Sequence, residues 1–170
     1  MSITYRNAAI ADGPALAAMG RRCFFETFGP HFPPDDMAMH LTRMFGPDGL
    51  PKELRQPGLR IRMAEEDDRI AAYLKLAPMG LDAPREPGAL EVKQLYVLEP
   101  WQGAGVAAVL MAWAVETARS DGAPALYLSV WEHGHRAIAF YKRCGFEQVG
   151  VAPFQLGTRA YQDPVMRLGL

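Results

Sequence analysis

Apolar positions along the chain change period several times, and each change marks an element. Ile3-Thr4-Tyr5-Arg6 alternates and reads as a short first strand. Asp12 fits an N-cap and Pro14 a first helical turn, which predicts a helix to about Phe28 with Leu16, Met19, Cys23, Ala17 and Phe24 on its apolar side. Gly29-Pro30 breaks it, and Pro33-Pro34-Asp35-Asp36 opens a second helix in which Met37, Leu41, Met44 and Phe45 face inward. Gly46 to Gly58 reads as loop, with a short turn at Lys52-Glu53-Leu54. Leu59–Ala64 and Arg69–Ala77 read as strands around the polar turn Glu65-Glu66-Asp67-Asp68, an antiparallel hairpin by pattern. Pro78 to Gly88 is a second loop.

The central stretch is an apolar strand from Ala89 to Leu98, a glycine turn at Gln102-Gly103-Ala104-Gly105, and a long helix. Val106, Val109, Leu110, Trp113 and Thr117 fall at helical spacing, and Asp121-Gly122 ends that helix. Ala125–Trp131 is almost wholly apolar, as a strand covered on both faces should be. Gly134 to Cys144 predicts a helix pairing Ile138 with Tyr141 and Phe140 with Cys144. Phe146–Val151 and about Arg159–Arg167 close the chain as strands. The order β-α-α-β-β-β-α-β-α-β-β predicts a mixed α/β (α+β) domain, a central sheet flanked by helices.

Composition adds bounds. The 170 residues suit one domain spanning residues 1–170, and 49% apolar with 22% charged residues is the balance of a water-soluble globular chain. A net charge of −1 without a basic block points to no nucleic-acid partner. No apolar run is long enough to span a bilayer, and MSITYRNAAI lacks the basic-then-apolar order of a signal peptide. Cys23 and Cys144 read as buried free thiols, which fits a cytoplasmic location. His133 and His135 are two apart, a spacing that suits no helical or finger-type metal pair, so no metal is expected.

A strand, a glycine turn and a helix start make an anion site. The first helical turn has unpaired N–H groups at the positive end of the dipole, and glycines let a phosphate approach the backbone. A phosphate-bearing ligand is therefore expected at Gln102–Ala107. Gly103-x-Gly105-x-x-Ala108 also fits a dinucleotide-binding turn, but that site wants an acidic residue about twenty residues on, ending the next strand. Asp121 precedes that strand and Glu132 lies too late.

Two segments resemble the GNAT superfamily of N-acetyltransferases. Gln102-Gly103-Ala104-Gly105-Val106-Ala107 matches its Q/R-x-x-G-x-G/A signature. Ala137-Ile138-Ala139-Phe140-Tyr141-Lys142-Arg143-Cys144-Gly145-Phe146 resembles its A-I-x-F-Y-x-x-x-G-F segment. Phe24–Gly29, Phe154–Gly157 and Gln162–Met166 look like the bacterial polyamine (spermidine-type) group. The resemblance implies acetyl-CoA as co-substrate, its pyrophosphate on Gln102, Gly103, Ala104, Gly105, Val106 and Ala107. Its pantetheine arm would pair with Leu95, Tyr96 and Val97 like an added strand. The implied activity is acetyl transfer to a primary amine, a small amine or polyamine, in a ternary complex. A non-catalytic acyl-CoA-binding module and a protein N-terminal acetyltransferase are the alternatives.

Tyr141 matches the tyrosine that serves as general acid in many GNAT enzymes. Glu91, eleven residues before Gln102, resembles the glutamate base of histone-type members, and simple alternation puts it on one side with Lys93 and Leu95. Glu26 is a rival base. Phe25, Glu26, Phe28 and Tyr73 are candidate walls for a cationic acceptor, and the two Pro/Gly loops are expected to border its site. Many members carry Asn three residues before the alanine of the second segment. Here Gly134 stands there, leaving His135 or the backbone to replace its contact, with Arg136 as a candidate for the CoA phosphates. An exposed face on the closing strands is compatible with a homodimer.

Overall fold

A computed structural model of the chain describes residues 2–170. The strands are β1 (Thr4–Asn7), β2 (Arg60–Glu66), β3 (Arg69–Pro78), β4 (Leu90–Val97), β5 (Ala125–Ser129), β6 (Glu147–Leu156) and β7 (Arg159–Gly169). The helices are α1 (Gly13–Phe28), α2 (Pro34–Phe45), α3 (Leu50–Glu53), α4 (Val106–Ser120) and α5 (His135–Arg143). The strands form one seven-stranded sheet in the order β1-β2-β3-β4-β5-β7-β6, antiparallel except for β4 with β5. The expected element order and mixed sheet are therefore present.

Local chemistry refines several boundaries. The β2–β3 turn is only Asp67-Asp68, both at positive φ (50° and 60°), the geometry of a two-residue hairpin, so β2 runs two residues further than expected, to Glu66, while β3 starts at Arg69 as expected. Asp12 sits at the start of α1 but does not cap it. Its carboxylate instead accepts the Ala9 N–H (2.7 Å) and pairs with Arg6, which holds it down at about 2. The loop after α2 contains a one-turn helix, α3, starting at Leu50. β5 stops at Ser129, two residues early.

The buried stripe of α4 is Val106, Leu110, Met111, Ala114 and Ala118. Val109 is exposed and Trp113 half-buried, so the expected face was rotated. Ala114 and Ala118 share that stripe with the larger Val106, Leu110 and Met111, and let the second half of the helix sit close to the sheet.

The sheet separates two layers. On one side α4 and α5 pack with Leu74, Leu76, Leu90, Val92, Leu126 and Leu128. On the other, α1 and α2 pack with Met63, Tyr73, Leu98 and Leu156. The β3 segment Ala71–Ala77 is buried along its whole length, since both layers cover it.

Two irregularities in β4 shape the middle of the sheet. The β3–β4 register slips between Lys75/Gln94 and Leu76/Val92, leaving Lys93 as a bulge. Parallel pairing with β5 covers only Leu90/Leu126 and Glu91/Tyr127. Beyond that point the strands part. β5 stays with β7 through Ser129/Val165, and the Val130 N–H still bonds the Pro164 carbonyl (3.0 Å).

Candidate active site

The glycine turn lies at the mouth of this split. Gly103 and Gly105 have φ of +80° and +82°, and no atom would meet a Cβ at either, so backbone conformation alone requires glycine there. Gly105 is the residue before α4. The N–H groups of Gly103, Gly105, Val106 and Ala107 bond to no carbonyl among the described residues, whereas the Gln102 N–H bonds Glu99 and the Ala108 N–H bonds Gly105. Four free donors at a positive helix end make a phosphate cradle.

Gln102 has a different task from its neighbours. Its side-chain amide donates to the Val97 carbonyl (3.0 Å), tying the turn to the end of β4. Trp101 anchors the other side: its indole N–H donates to Glu66 (3.0 Å) and the Arg69 guanidinium lies over its ring.

Leu95, Tyr96 and Val97 form the β4 side of the split, all half-buried. Tyr141 reaches it from α5, half-buried between Phe140 (5.5 Å between ring centroids) and Phe146 (5.9 Å). Burial pushes its hydroxyl well above the usual tyrosine range, and it in turn contributes to raising Tyr96. Both phenols keep their protons at neutral pH, as a proton donor must. Gly134 is the half-buried residue before α5, and a Cβ there would lie 3.1 Å from the Trp131 carbonyl. Arg136 is exposed in the first turn of α5.

Glu91 stays beside Lys93 but does not share a side with Leu95, because the bulge at Lys93 breaks the alternation. Cross-strand pairing puts Glu91 with Gln94 and Tyr96 on the face towards α1, opposite Ala77, Lys75 and Tyr73. It is buried at the still-paired end of β4. There its carboxylate accepts the Gly80 N–H (2.9 Å) and lies 3.4 Å from the Lys93 ammonium. The Pro78–Gly88 connection is clamped twice, at Gly80 and at Glu86, which accepts from Tyr127 and Arg167.

The other acceptor-wall residues are not brought together. Tyr73 is fully buried and donates to Gln94 Oε1 (2.9 Å), so it is core. Phe25 is 55% exposed on the outer side of α1, in a groove of about 630 Å³ that also includes Arg22 and Met37. Glu26 pairs with Arg22 one helical turn away (2.7 Å), again facing out. Phe28 alone turns towards the split, edge-on to Trp131 (5.6 Å).

That contact opens an aromatic arc the sequence did not reveal. Trp131 also meets His31 (4.9 Å) and Phe32 (6.1 Å), and Phe32 meets Tyr161 (5.1 Å). Three separate segments, 28–32, Trp131 and Tyr161, supply these rings, so no single spacing announces the arc. Asp163 lies on the same face as Tyr161, 6% exposed. Burial first, and then the Glu132 carboxylate, raise it to about 6. Lys75 is a second buried charge, its ammonium 2.5 Å from Glu53 Oε2 on α3.

Among the described residues no group of His, Cys, Asp and Glu could hold a metal ion, and no helix is long and apolar enough to cross a membrane.

The family model of the acetyltransferase (GNAT) family matches residues 17–146. An uncharacterized N-acetyltransferase from the pepI 3′ region of Lactobacillus delbrueckii subsp. lactis is 32% identical over 162 residues, 94% of this chain and 92% of that protein. An aminoalkylphosphonate N-acetyltransferase of Salmonella typhimurium is 31% identical over 101 residues, 59% of this chain and 65% of that one. Among solved structures, the PaiA N-acetyltransferase of Thermoplasma acidophilum in complex with coenzyme A superposes with a TM-score of 0.82 at 16% identity, covering 100% of both chains.

Proposed function

The chain belongs to the GNAT acetyltransferase family, and on that premise we propose that it moves the acetyl group of acetyl-CoA directly to a small primary amine in a ternary complex. Three features of the split support this reading. They are the four free N–H groups around Gly103–Ala107, the unpaired β4 edge at Leu95–Val97, and the Tyr141 hydroxyl.

The cradle fits a pyrophosphate in charge and in donor count. The β4 edge, parted from β5, supplies strand-like N–H and C=O groups to the amides of the pantetheine arm. Acetyl-CoA brings the thioester, an acyl group with a thiolate as its leaving group. The backbone N–H groups of the same edge stabilise the oxyanion that forms as the amine attacks. Tyr141, held protonated by burial, gives its proton to the departing sulfur. Arg136 and the first turn of α5 approach the donor from the other wall. Glu91, bonded to Gly80 and beside Lys93, serves to hold the Pro78–Gly88 loop. Cys23, buried and raised to about 11, and Cys144 are free thiols, consistent with a reducing cytoplasm.

The test is calorimetric binding of acetyl-CoA combined with free-thiol release against a panel of amines. Tyr141→Phe should lower kcat about 100-fold and leave the acetyl-CoA Kd unchanged. An unchanged kcat removes Tyr141 from the acid role. Binding without amine-stimulated release identifies a non-catalytic acyl-CoA binder, and absence of binding defeats the reading.

A further inference from the structure

Among the described residues six polar or charged side chains are buried: Asp36, His40, Lys75, Glu91, Gln94 and Asp163. Most have partners. Asp36 accepts from the Thr158 N–H and hydroxyl (both 2.7 Å), Lys75 meets Glu53, Gln94 meets Tyr73, and Glu91 meets Gly80. His40 is stacked on Phe24 (4.6 Å). Among the described residues His40 Nδ1 has no partner, and Asp163 differs from the other buried carboxylates. Among the described residues its carboxylate accepts no hydrogen bond and has no cation beside it, yet it is 6% exposed. A buried carboxylate without a donor is unfavourable unless a cation or a donor meets its charge.

The register shows what surrounds it. Ser129 pairs with Val165 and the Val130 N–H bonds Pro164, so Trp131 continues the ladder opposite Asp163. Tyr161 lies two residues before Asp163 on the same face. Trp131 carries Phe28, His31 and Phe32 around it, and Tyr161 closes the arc through Phe32. The arc and the carboxylate share the face towards α1, at the level where β5 has parted from β4. Ring faces attract cations, as the carboxylate does, and the rings exclude water from both.

We infer that Asp163 and the aromatic arc form the acceptor site, that its ligand is an aliphatic primary ammonium, and that Asp163 is the base that takes its proton. This rests on the acetyl-transfer reading above. The alkyl chain lies along Phe28, Phe32 and Trp131, and the ammonium meets the Asp163 carboxylate. Asp163 accepts one N–H proton, leaving a neutral amine whose lone pair attacks the thioester carbonyl carbon. A C–N bond forms, the C–S bond breaks, and the sulfur leaves with its electron pair and takes the Tyr141 proton. The second proton lost by nitrogen restores Tyr141, and Asp163 releases the first to solvent. The charged and titratable groups around Asp163 are Glu132 after β5 and Tyr161 on β7, while His31, between α1 and α2, and His133 lie against Trp131. A carboxylate near 6 is ionised at neutral pH and still basic enough to take a proton in passing.

The experiment compares wild type with Asp163→Asn, using thiol release from acetyl-CoA. The probes are n-butylamine, 1,4-diaminobutane, glycine and 2-aminoethylphosphonate. Calorimetry of acetyl-CoA and melting curves are run on each protein. Wild type should use the two alkylamines at least about 10-fold better in kcat/KM than the two amines bearing an anion. Asp163→Asn should lose about 100-fold in kcat/KM for the alkylamines, keep its acetyl-CoA Kd, and lose the acidic limb of the pH–rate profile near 6. It should melt at the same or a higher temperature at pH 7, since it removes a buried charge. A variant that binds acetyl-CoA and keeps wild-type kcat/KM and pH profile overturns the inference while the acetyltransferase reading stands. A wild-type preference for the anionic amines overturns the acceptor class. A wild type that does not bind acetyl-CoA, or binds it without amine-stimulated release, overturns both.

Discussion

The two faces of the sheet are built from different chemistry. The face under α4 and α5 is mostly aliphatic: Leu74, Leu76, Leu90, Val92, Leu110, Leu126 and Leu128, with alanines where the helix comes close and Phe146 under the α5 rings. All six buried polar or charged side chains lie on the other side, in α2 or on the sheet face that α1 covers. That face is also where the rings gather, from Phe24 and Phe45 through Tyr73 and Tyr96 to Trp131. The aliphatic face holds a helix N-terminus at a fixed place beside β4, a task that any well-packed set of apolar residues performs. The polar face tolerates desolvated charge, which a fold keeps where that charge meets a ligand or locks a geometry.

The contrast can be broken at several points. The largest effect is expected from Leu110→Ala, which empties a fully buried position under α4 and should cost about 3–4 kcal/mol in a denaturant titration. Its kcat should stay near wild type in whatever protein remains folded. On the polar face, Glu53→Ala leaves the Lys75 ammonium buried without its partner. It should cost about 2–3 kcal/mol, less than a fully buried pair because Glu53 is part-exposed. Adding Lys75→Met to that variant should restore most of the loss. If it does not, the pair is needed for more than charge balance.

Gly105→Ala forces a Cβ into a left-handed conformation at the start of α4 and should cost about 1–2 kcal/mol. It should also weaken acetyl-CoA binding, measured by calorimetry, by misaligning the free N–H groups. The smallest effect is expected from Phe25→Ala with Glu26→Gln, on the outer side of α1. Their kcat/KM for amines should stay within twofold of wild type, whereas Phe28→Ala, which removes an edge of the arc, should raise the amine KM. Equal effects from both sets would erase the distinction between the inner and outer faces of α1.

The same contrast explains which parts were readable from the residues. Element order, the glycine turn and Tyr141 follow from local periodicity and short motifs, and the aliphatic face is made of such local signals. The polar face depends on what the strands do to each other. A bulge at Lys93 has no composition signature, yet it puts Leu95 on the opposite side of β4 from Glu91, where alternation predicts the same side. Lys75 sits in an apolar run and looks like an ordinary strand lysine until α3 brings Glu53 to it. Asp163 gains its meaning from Trp131, thirty-two positions earlier, through a register that no single stretch encodes. Phe25 and Phe28 look alike in sequence, and only the packing of α1 tells them apart.

The parting of β4 from β5 after two residue pairs has a mechanical consequence. The sheet is two rafts, β1-β2-β3-β4 and β5-β7-β6, joined edge to edge by a short seam and spanned by α4. A molecule lying in the split touches both rafts and so acts as a cross-link between them. Its binding free energy becomes cohesion of the whole domain, raising the melting temperature as its concentration exceeds its Kd. Hydrogen-exchange protection should then rise most along the seam, in β4 and β5, rather than in the helices that cover them.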